Sequence, residues 1–413
     1  MKQFLKTLFV AGATCLAALS AGAAEPIRFG LCYDLTKAYH FITPQVAQAA
    51  RDYANLLNLK GGIGGRPLEI VVNDHANEPQ RGVECYERLK REGVMVFDFM
   101  STPVARAALP RVMQDGNLMI QAFHGRADAV DGEVFKNVFP LGPTYWGQAA
   151  NMVSYIKRQA GGNLSKTKIA YLYPDYPLGQ EPIPILKELQ KREGFDLGLY
   201  PYPLPGNDLS SAMSQIRRYQ PDWIINWGIG PMHVVAVKEL KRNGLRLDRY
   251  ISVNWLNEVD IANIGPEAAK GIKRSSVVIG GSEHPLHKEI IRELYDKGKG
   301  AGDRKFLSDT YYNLGLAMYS ALFEGVRVAM ESPPPLTAEK IRKGLESLRN
   351  YDANGFMAPL TVTAQDHGGG GKTRIDMWDG SKWVPQTDWF VDYSDLVWAT
   401  VKQHSGEYAK SGK

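Results

Sequence analysis

The sequence predicts an α/β protein made of two doubly wound lobes that are joined by three hinge crossovers. Three observations support this prediction. Strand-like and helix-like segments alternate over residues 27–141, the alternation restarts at residue 168, and a long helical stretch follows the second series. Alternation with short connections is typical of parallel sheets covered by helices. A chain of 413 residues is long enough for two such lobes.

The first series begins with an apolar strand and ends with a strand that leads into a crossover. Its segments, strand and helix in turn, are residues 27–33, 44–59, 68–72, 79–91, 94–97, 103–115 and 118–121. Thr102 is expected to cap the helix that follows it, because Pro103 suits the first helical position. Ligands of such sheets bind outside the carboxyl ends of the strands. The Ser101-Thr102 turn therefore lies at a candidate binding edge.

The second series repeats the pattern and is followed by helices and a turn-rich tail. We predict strands at 168–173, 195–202, 223–227, 250–253 and 272–279, helices at 145–159, 178–193, 208–219 and 233–242, a helical stretch at 285–348, and further strands at 360–363 and 375–384. Helices that return after two complete series indicate that the chain crosses between the lobes near Leu141, Gly280 and Tyr351. The expected division is a first lobe of residues 25–141 plus 281–350, a second lobe of 142–280 plus 351–390, and a C-terminal tail of 391–413.

The N-terminus indicates an exported protein. Two lysines flank an apolar stretch at residues 5–19, which ends in small residues. This pattern is typical of a secretory signal peptide, so we predict that residues 1–24 are removed by cleavage near Ala23 or Ala24. The formal charge then falls from +5 to about +3, without any basic run. So small an excess argues against a nucleic-acid partner.

The mature chain keeps two cysteines, Cys32 in a predicted strand and Cys85 in a predicted helix. An oxidising compartment permits a disulfide, but the sequence does not give the distance between them. We favour two buried thiols over a disulfide.

Each motif that could carry catalysis or bind a metal has a simpler structural interpretation. The glycine-rich residues 61–65 end a helix and enter a strand, which is the reverse of a phosphate-binding loop, so a turn is predicted. His367 precedes four glycines, but the chain has no G-x-S-x-G motif, and an exposed turn is favoured. The Glu283-His284 pair and His287 could face the same way at the start of a helix, but a zinc site needs a further protein ligand that this spacing does not supply. They are therefore interpreted as surface residues. We predict no catalytic residue, no metal and no cofactor.

The Ser101-Thr102 turn is the strongest candidate for an anion site. Its hydroxyls, together with the backbone N–H groups of Thr102, Val104 and Ala105, are the donors that a carboxylate prefers. The alternative is that Thr102 only caps the helix. Several aromatic residues at predicted strand ends suggest a pocket for an apolar or planar ligand, although such residues also form core edges. They are Phe123 with His124, Tyr173, Tyr176, Trp227 and Trp255.

Residues 58–70 read Asn-Leu-Lys-Gly-Gly-Ile-Gly-Gly-Arg-Pro-Leu-Glu-Ile, and Asp74 and Pro79 follow. This signature closely resembles that of type I periplasmic binding proteins, in the subgroup that serves ABC importers of branched-chain amino acids. The resemblance implies a periplasmic, usually monomeric protein that closes two lobes on a small-molecule ligand and delivers it to an ABC permease of the inner membrane. It also implies the ligand-binding residues Thr36, Tyr39, Ser101, Thr102, Phe123, His124, Tyr176, Trp227 and Trp255.

The sequence departs from the amino-acid-binding pattern in two places. The serine-rich turn of those relatives is reduced here to Ser101-Thr102-Pro103. Trp255 stands where the relatives carry an acidic residue for the ligand ammonium, and a buried ammonium without a partner is costly. Unless Asp34, Asp175 or Glu258 substitutes, an aromatic or apolar organic acid fits better than a branched-chain amino acid. The favoured function is solute binding without catalysis. The alternatives are a ligand-sensing receptor lobe of the same fold and, less favoured, a secreted hydrolase.

Overall fold

The computed structural model describes residues 24–411, so the predicted signal peptide lies outside the described residues except for Ala24. The described chain forms a five-stranded and a seven-stranded sheet. The first sheet and its helices comprise β1 (Ile27–Tyr33), α1 (Thr43–Leu59), β2 (Leu68–Asp74), α2 (Pro79–Arg91), β3 (Val96–Asp98), α3 (Thr102–Asp115), β4 (Leu118–Ile120) and β5 (Val138–Phe139).

The chain then builds the second sheet. Its elements are α4 (Tyr145–Gln159), β6 (Lys168–Pro174), α5 (Pro177–Gln180), α6 (Ile183–Glu193), β7 (Asp196–Tyr202), α7 (Ser210–Tyr219), β8 (Trp223–Asn226), α8 (Pro231–Arg242), β9 (Tyr250–Ser252), α9 (Glu258–Ile264) and β10 (Lys273–Ser276). The remaining elements are α10 (Pro285–Glu293), α11 (Thr310–Ala329), α12 (Ala338–Glu346), β11 (Arg374–Trp378), β12 (Trp383–Pro385) and α13 (Ser394–Lys410).

Both sheets have the strand order of doubly wound folds. The first is entirely parallel, in the order β2-β1-β3-β4-β5, and Phe29 of β1 lies in register with Ile70 and Val96. The second has the order β12-β11-β10-β9-β8-β6-β7, with β11 and β12 antiparallel to their neighbours. The predicted α/β class with two doubly wound sheets is confirmed.

Side chains on β1 alternate between two cores, as the period of two in a strand requires. Phe29 and Leu31 join the larger core, and Cys32 joins a smaller core beneath α2 and α3. Cys85 of α2 faces the same small core, and the two cysteines form a disulfide with a Cα–Cα distance of 6.1 Å. The preference for two free thiols was therefore wrong, because the distance between the cysteines depends on how α2 packs against the sheet.

The chain passes between the two sheets three times. After β10 it returns to the first sheet, where α11 packs on α1 and α12 packs on α11. It then re-enters the second sheet as β11. The lobe boundaries near residues 141, 280 and 350 stay a prediction.

One prediction for the C-terminal part was wrong. Residues 360–363 form no strand, and Leu360 makes a single isolated bridge with Tyr351. The tail contains the 17-residue helix α13. This helix contacts residues 127–130, beside the first sheet, and helices α4 and α6 of the second. Lys402 donates to Asp131 at 2.8 Å beside the first sheet, and Arg192 of α6 donates to Asp395 at 2.6 Å.

Two histidines that were interpreted as surface residues are buried. His367 has no exposed surface, stacks on Phe139 at 4.1 Å, and has its Nδ1 2.8 Å from the Val138 carbonyl oxygen. His287 is also fully buried, with its ring 5.8 Å from that of Tyr312. Glycine-rich and polar neighbours in the sequence concealed both, since burial here comes from residues distant in the chain.

Candidate functional site

A small cavity lies between the loops that follow the strands of the first sheet and the segments that cover the second sheet. The first group of lining residues is Tyr39, Ile42, Met100, Ser101, Thr102 and His124, and the second is Tyr145, Leu178 and Trp255. In parallel sheets this edge, beyond the carboxyl ends of the strands, is the usual ligand position. Five of the nine residues predicted for the site lie on the wall of this cavity.

The Ser101-Thr102 turn begins α3, with Ser101 as the N-cap instead of Thr102. The Ser101 hydroxyl accepts from the Val104 N–H at 3.4 Å and donates to Asn77 Oδ1 at 2.7 Å. The Ala105 N–H donates to the Ser101 carbonyl at 2.8 Å. Two of the three backbone donors expected for a ligand are thus used inside the helix, and the turn contributes to the cavity chiefly through Thr102.

His124 presents an imidazole without a hydrogen-bond partner to the cavity. The residue is 6% exposed, and neither ring nitrogen has a partner within residues 24–411. Its Nε2 lies 3.6 Å from Asp98 Oδ1. Asp98 is held in place because it accepts from the Tyr33 hydroxyl at 2.6 Å and from the Met100 N–H at 3.0 Å. A positive charge on the imidazole would be balanced from behind by this carboxylate.

Tyr39 brings a second polar group without a partner. Its backbone is fixed by Asp34, whose carboxylate accepts from the N–H groups of Lys37 at 2.7 Å and Tyr39 at 2.8 Å. The Tyr39 hydroxyl is buried and has no partner in the described part of the chain. Burial, and to a lesser extent the neighbouring Tyr176, raise the pKa of this hydroxyl well above its ordinary value. It therefore remains a protonated donor.

Trp255 and Tyr145 form the aromatic wall on the other side. The Trp255 indole N–H donates to the Tyr145 hydroxyl at 2.7 Å. Trp227 is fully buried behind Tyr145, with its ring nearly perpendicular at 5.2 Å. The Trp227 side chain therefore supports the cavity wall without lining it. Burial raises the pKa of the Tyr145 hydroxyl above its ordinary value.

Thr36 and Phe123 lie away from the cavity. The Thr36 hydroxyl donates to Asp74 at 2.8 Å, so it shapes the loop after β1. Phe123 is fully buried and packs against Gly142, where an added Cβ would meet its ring at 2.5 Å. Neither side chain is among the nine that line the cavity.

Tyr176 joins the two sides of the cleft outside the cavity. Its hydroxyl accepts from the Asn77 side-chain amide at 3.0 Å. A second contact of this kind is made by Glu181, which is 6% exposed, accepts from the Ala127 N–H at 2.8 Å, and forms an ion pair with Arg106. These contacts join the two sides of the cleft.

Four lining residues were not predicted as site residues. Ile42, Met100 and Leu178 resemble ordinary core residues in the sequence, and no local signal separates them from the core. Tyr145 was interpreted only as the start of a helix. Its position directly after a crossover and the N-cap Thr144 was a usable signal, because crossover segments border the cleft.

Among residues 24–411, no acidic side chain lines the cavity. The three carboxylates that were considered as partners for a ligand ammonium are engaged elsewhere. Asp34 binds backbone amides, Asp175 accepts from Gln180 at 2.7 Å, and Glu258 accepts from the Thr310 hydroxyl at 2.7 Å. The described residues that line the cavity therefore offer no carboxylate to pair with a ligand ammonium group.

Within residues 24–411 no group of three or more His, Cys, Asp or Glu side chains could hold a metal ion. Over the same range, every helix is too short or too polar to cross a membrane.

Comparisons with known proteins agree with this geometry. A family model described as "Periplasmic binding protein" matches residues 26–382. A crystal structure described as an ABC transporter permease from the Pseudomonas fluorescens group is 32% identical, with a TM-score of 0.86, and the match covers 95% of this chain and 98% of that one. A branched-chain amino-acid ABC transporter protein from Thermus thermophilus with bound valine is 18% identical, with a TM-score of 0.80 and coverage of 93% and 99%. Leu/Ile/Val-binding protein homolog 3 from Brucella melitensis is 24% identical over 73% of this chain and 80% of its own length.

Proposed function

We propose that this chain, which belongs to the type I periplasmic binding protein family of the branched-chain amino-acid type, binds a small apolar carboxylate that has no ammonium group. Members of this family are solute-binding proteins, not enzymes. The chain would deliver its ligand to an ABC permease of the inner membrane. The favoured ligands are aromatic and branched aliphatic monocarboxylic acids.

The observation that carries this proposal is the set of unused polar groups in the cavity. The Tyr39 hydroxyl and both His124 nitrogens are buried without partners among residues 24–411. Buried polar groups normally have hydrogen-bond partners, because leaving them unpaired costs about 1–3 kcal/mol each. A ligand that accepts hydrogen bonds would satisfy them, and a carboxylate accepts several at once.

His124 is the lining residue best placed to bind a ligand carboxylate. Neither ring nitrogen has a hydrogen-bond partner within residues 24–411. Asp98 lies behind the ring at 3.6 Å and is itself fixed by two hydrogen bonds. A ligand carboxylate would accept the hydrogen bond that the imidazole N–H does not make within the protein.

The rest of the lining suits an apolar body. Ile42, Met100 and Leu178 contribute apolar side chains, and Tyr145 and Trp255 contribute aromatic rings. Such surfaces favour apolar ligand groups through the hydrophobic effect. An amino-acid ligand would bury its ammonium against them without a counter-charge, which is unfavourable.

Matched pairs of ligands test this proposal. Leucine is compared with 4-methylpentanoate, and phenylalanine with 3-phenylpropanoate, since each pair differs by the ammonium group alone; benzoate is added as a small aromatic acid. Binding is measured by isothermal titration calorimetry, and the rise in melting temperature gives an independent readout. We expect each acid to bind at least about 10-fold more tightly than its amino-acid counterpart. Tighter binding of leucine or phenylalanine than of the matched acid would overturn the proposal.

The location and organisation of the protein complete the proposed function. We propose export with removal of residues 1–24, a monomeric mature protein, and lobes of residues 25–141 plus 281–350 and 142–280 plus 351–390. The N-terminal residue of protein purified from periplasm, measured by mass spectrometry, tests the cleavage near Ala23 or Ala24. Sedimentation equilibrium tests the monomer.

A further inference from the structure

The hydrogen bond between Trp255 and Tyr145 restricts what Tyr145 can offer a ligand. An indole N–H can only donate, so the Tyr145 hydroxyl is the acceptor in this 2.7 Å contact. A phenol has one proton to donate. No described residue accepts the Tyr145 proton, and Tyr145 lines the cavity. With Trp255 occupying the acceptor side, the hydroxyl faces a ligand as a donor.

Both partners of this contact are held rigidly. The Trp255 carbonyl accepts from the Tyr311 hydroxyl at 2.5 Å, and the two rings lie 6.1 Å apart. On the other side the Trp227 ring packs edge-on against Tyr145. A hydroxyl fixed in this way cannot reverse its role by a simple rotation, because the indole N–H would then lose its acceptor in a buried site.

We propose that Trp255 is a positioning residue that keeps Tyr145 as a hydrogen-bond donor, and that the pair selects a carboxylate over the isosteric carboxamide. This inference rests on the proposed function. Both oxygens of a carboxylate accept hydrogen bonds, so one can take the Tyr145 proton and the other the proton of the unpartnered Tyr39 hydroxyl. A carboxamide has a single acceptor oxygen, so its NH₂ group would face the second donor. The pair thus excludes ligands whose polar end must donate, and an ammonium is excluded for the same reason.

The test uses benzoate and benzamide as an isosteric pair, with calorimetric titration of the full mature chain at neutral pH. Wild-type protein is expected to bind benzoate more tightly than benzamide. Trp255→Phe frees the acceptor side of Tyr145, and the benzoate-to-benzamide affinity ratio is expected to fall about 10-fold. Tyr145→Phe removes one oxygen atom and is expected to lower benzoate affinity about 10-fold while changing benzamide affinity little.

Trp389→Phe is the matched control, because Trp389 is a tryptophan that does not line the cavity. Its affinity ratio should equal that of the wild type. Circular dichroism shows whether Trp255→Phe and Tyr145→Phe are folded. If the wild type binds benzoate and either folded variant keeps the wild-type benzoate-to-benzamide affinity ratio, the role assigned to the pair is wrong and the proposed function stands. If the wild type binds none of the acids, the proposed function and this inference both fail.

Discussion

Two polar regions of opposite character meet at Trp255. Its side chain lines the cavity, where the Tyr39 hydroxyl and both His124 ring nitrogens have no hydrogen-bond partner within residues 24–411. Its carbonyl oxygen accepts from the Tyr311 hydroxyl, beside a second region. We call this region the acidic cluster; it consists of three carboxyl side chains and one guanidinium, those of Glu258, Asp260, Asp309 and Arg274. In the acidic cluster the charged groups are bonded: Asp309 accepts from the Tyr311 N–H, and Arg274 donates to the Leu256 carbonyl at 2.8 Å.

This difference in hydrogen bonding distinguishes polar groups that can bind a ligand from polar groups that stabilise the fold. A buried donor without a partner has a cost in the empty protein that a ligand removes. A buried carboxylate with partners already has its stabilising contacts, so substituting it changes folding before it changes binding. The cavity variants should therefore alter affinity, and the cluster variants should alter stability or its pH dependence.

The largest effect is expected for Arg274→Met. Arg274 is 1% exposed and supplies the positive charge beside Glu258 and Asp376, at 3.9 and 4.0 Å. Its removal takes the counter-charge from beside Glu258 and leaves Asp376 paired with Arg374 alone, so it should lower the free energy of unfolding by about 3–5 kcal/mol, measured by urea denaturation. Arg292→Met, at an exposed site, is the control and should change stability by less than about 0.5 kcal/mol. A loss below about 1 kcal/mol for Arg274→Met would show that the cluster is not held by this charge.

The next effect concerns the cavity. His124→Leu removes the unpartnered imidazole, so benzoate affinity should fall about 10- to 100-fold, since hydrogen bonds to charged groups contribute about 1.5–3 kcal/mol. Stability should change less than affinity, because neither imidazole nitrogen has a hydrogen-bond partner within residues 24–411 and the contact with Asp98 is long, at 3.6 Å. Calorimetry and urea denaturation give the two readouts. His404→Gln, at a histidine outside the cavity, should leave both unchanged, and unaltered benzoate affinity in His124→Leu would contradict the anchoring role.

The third effect is a pH dependence of stability that belongs to the acidic cluster. Burial, with Asp309 and Glu258 nearby, raises the pKa of Asp260 from its usual value to about 8. The folded state thus holds a proton that the unfolded state gives up near pH 4, so stability from this group is full below that pH and declines as the pH rises toward 8. Asp260→Asn cannot ionise and should flatten this decline, with a gain of at least about 1 kcal/mol at pH 8.5.

Urea denaturation of wild type and Asp260→Asn between pH 5 and 9 checks this expectation. Asp208→Asn is a suitable control, because hydrogen bonds from Ser210 lower the pKa of that exposed carboxyl. Parallel stability curves for wild type and Asp260→Asn would mean that Asp260 is ionised in the folded protein. Benzoate affinity should be unaffected, which sets this variant apart from His124→Leu.

Local signals were sufficient to predict the fold and one side of the cavity. A strand, a polar turn and Pro103 placed the start of α3 to within one residue, and the N-cap proved to be Ser101. The parallel-sheet rule then placed Ser101 and Thr102 at the ligand edge. His124 was found by the same reasoning, since it follows the next strand.

What could not be predicted depends on contacts between distant residues. The partner of Trp255 is Tyr145, 110 positions away, and the partner of Cys32 is Cys85, 53 positions away. Helix α13 has few buried residues of its own and is held by contacts with both parts of the molecule. Sequence periodicity carries no information on such contacts, because it reports which face of an element is buried and not against what.

The smallest effect tests closure separately from recognition. Glu181 bonds to Arg106 and the Ala127 N–H across the cleft, outside the cavity. Glu181→Gln keeps an acceptor for Ala127 but removes the ion pair, which should weaken the closed form by about 1 kcal/mol because Arg106 is partly exposed. All ligands should then lose about 5-fold in affinity by calorimetry, with the benzoate-to-benzamide ratio unchanged.

Glu188→Gln in α6, whose partner Lys191 lies in the same helix, is the control and should bind like wild type. A changed ratio in Glu181→Gln would place this residue in recognition, and wild-type affinity would mean that the ion pair does not stabilise closure.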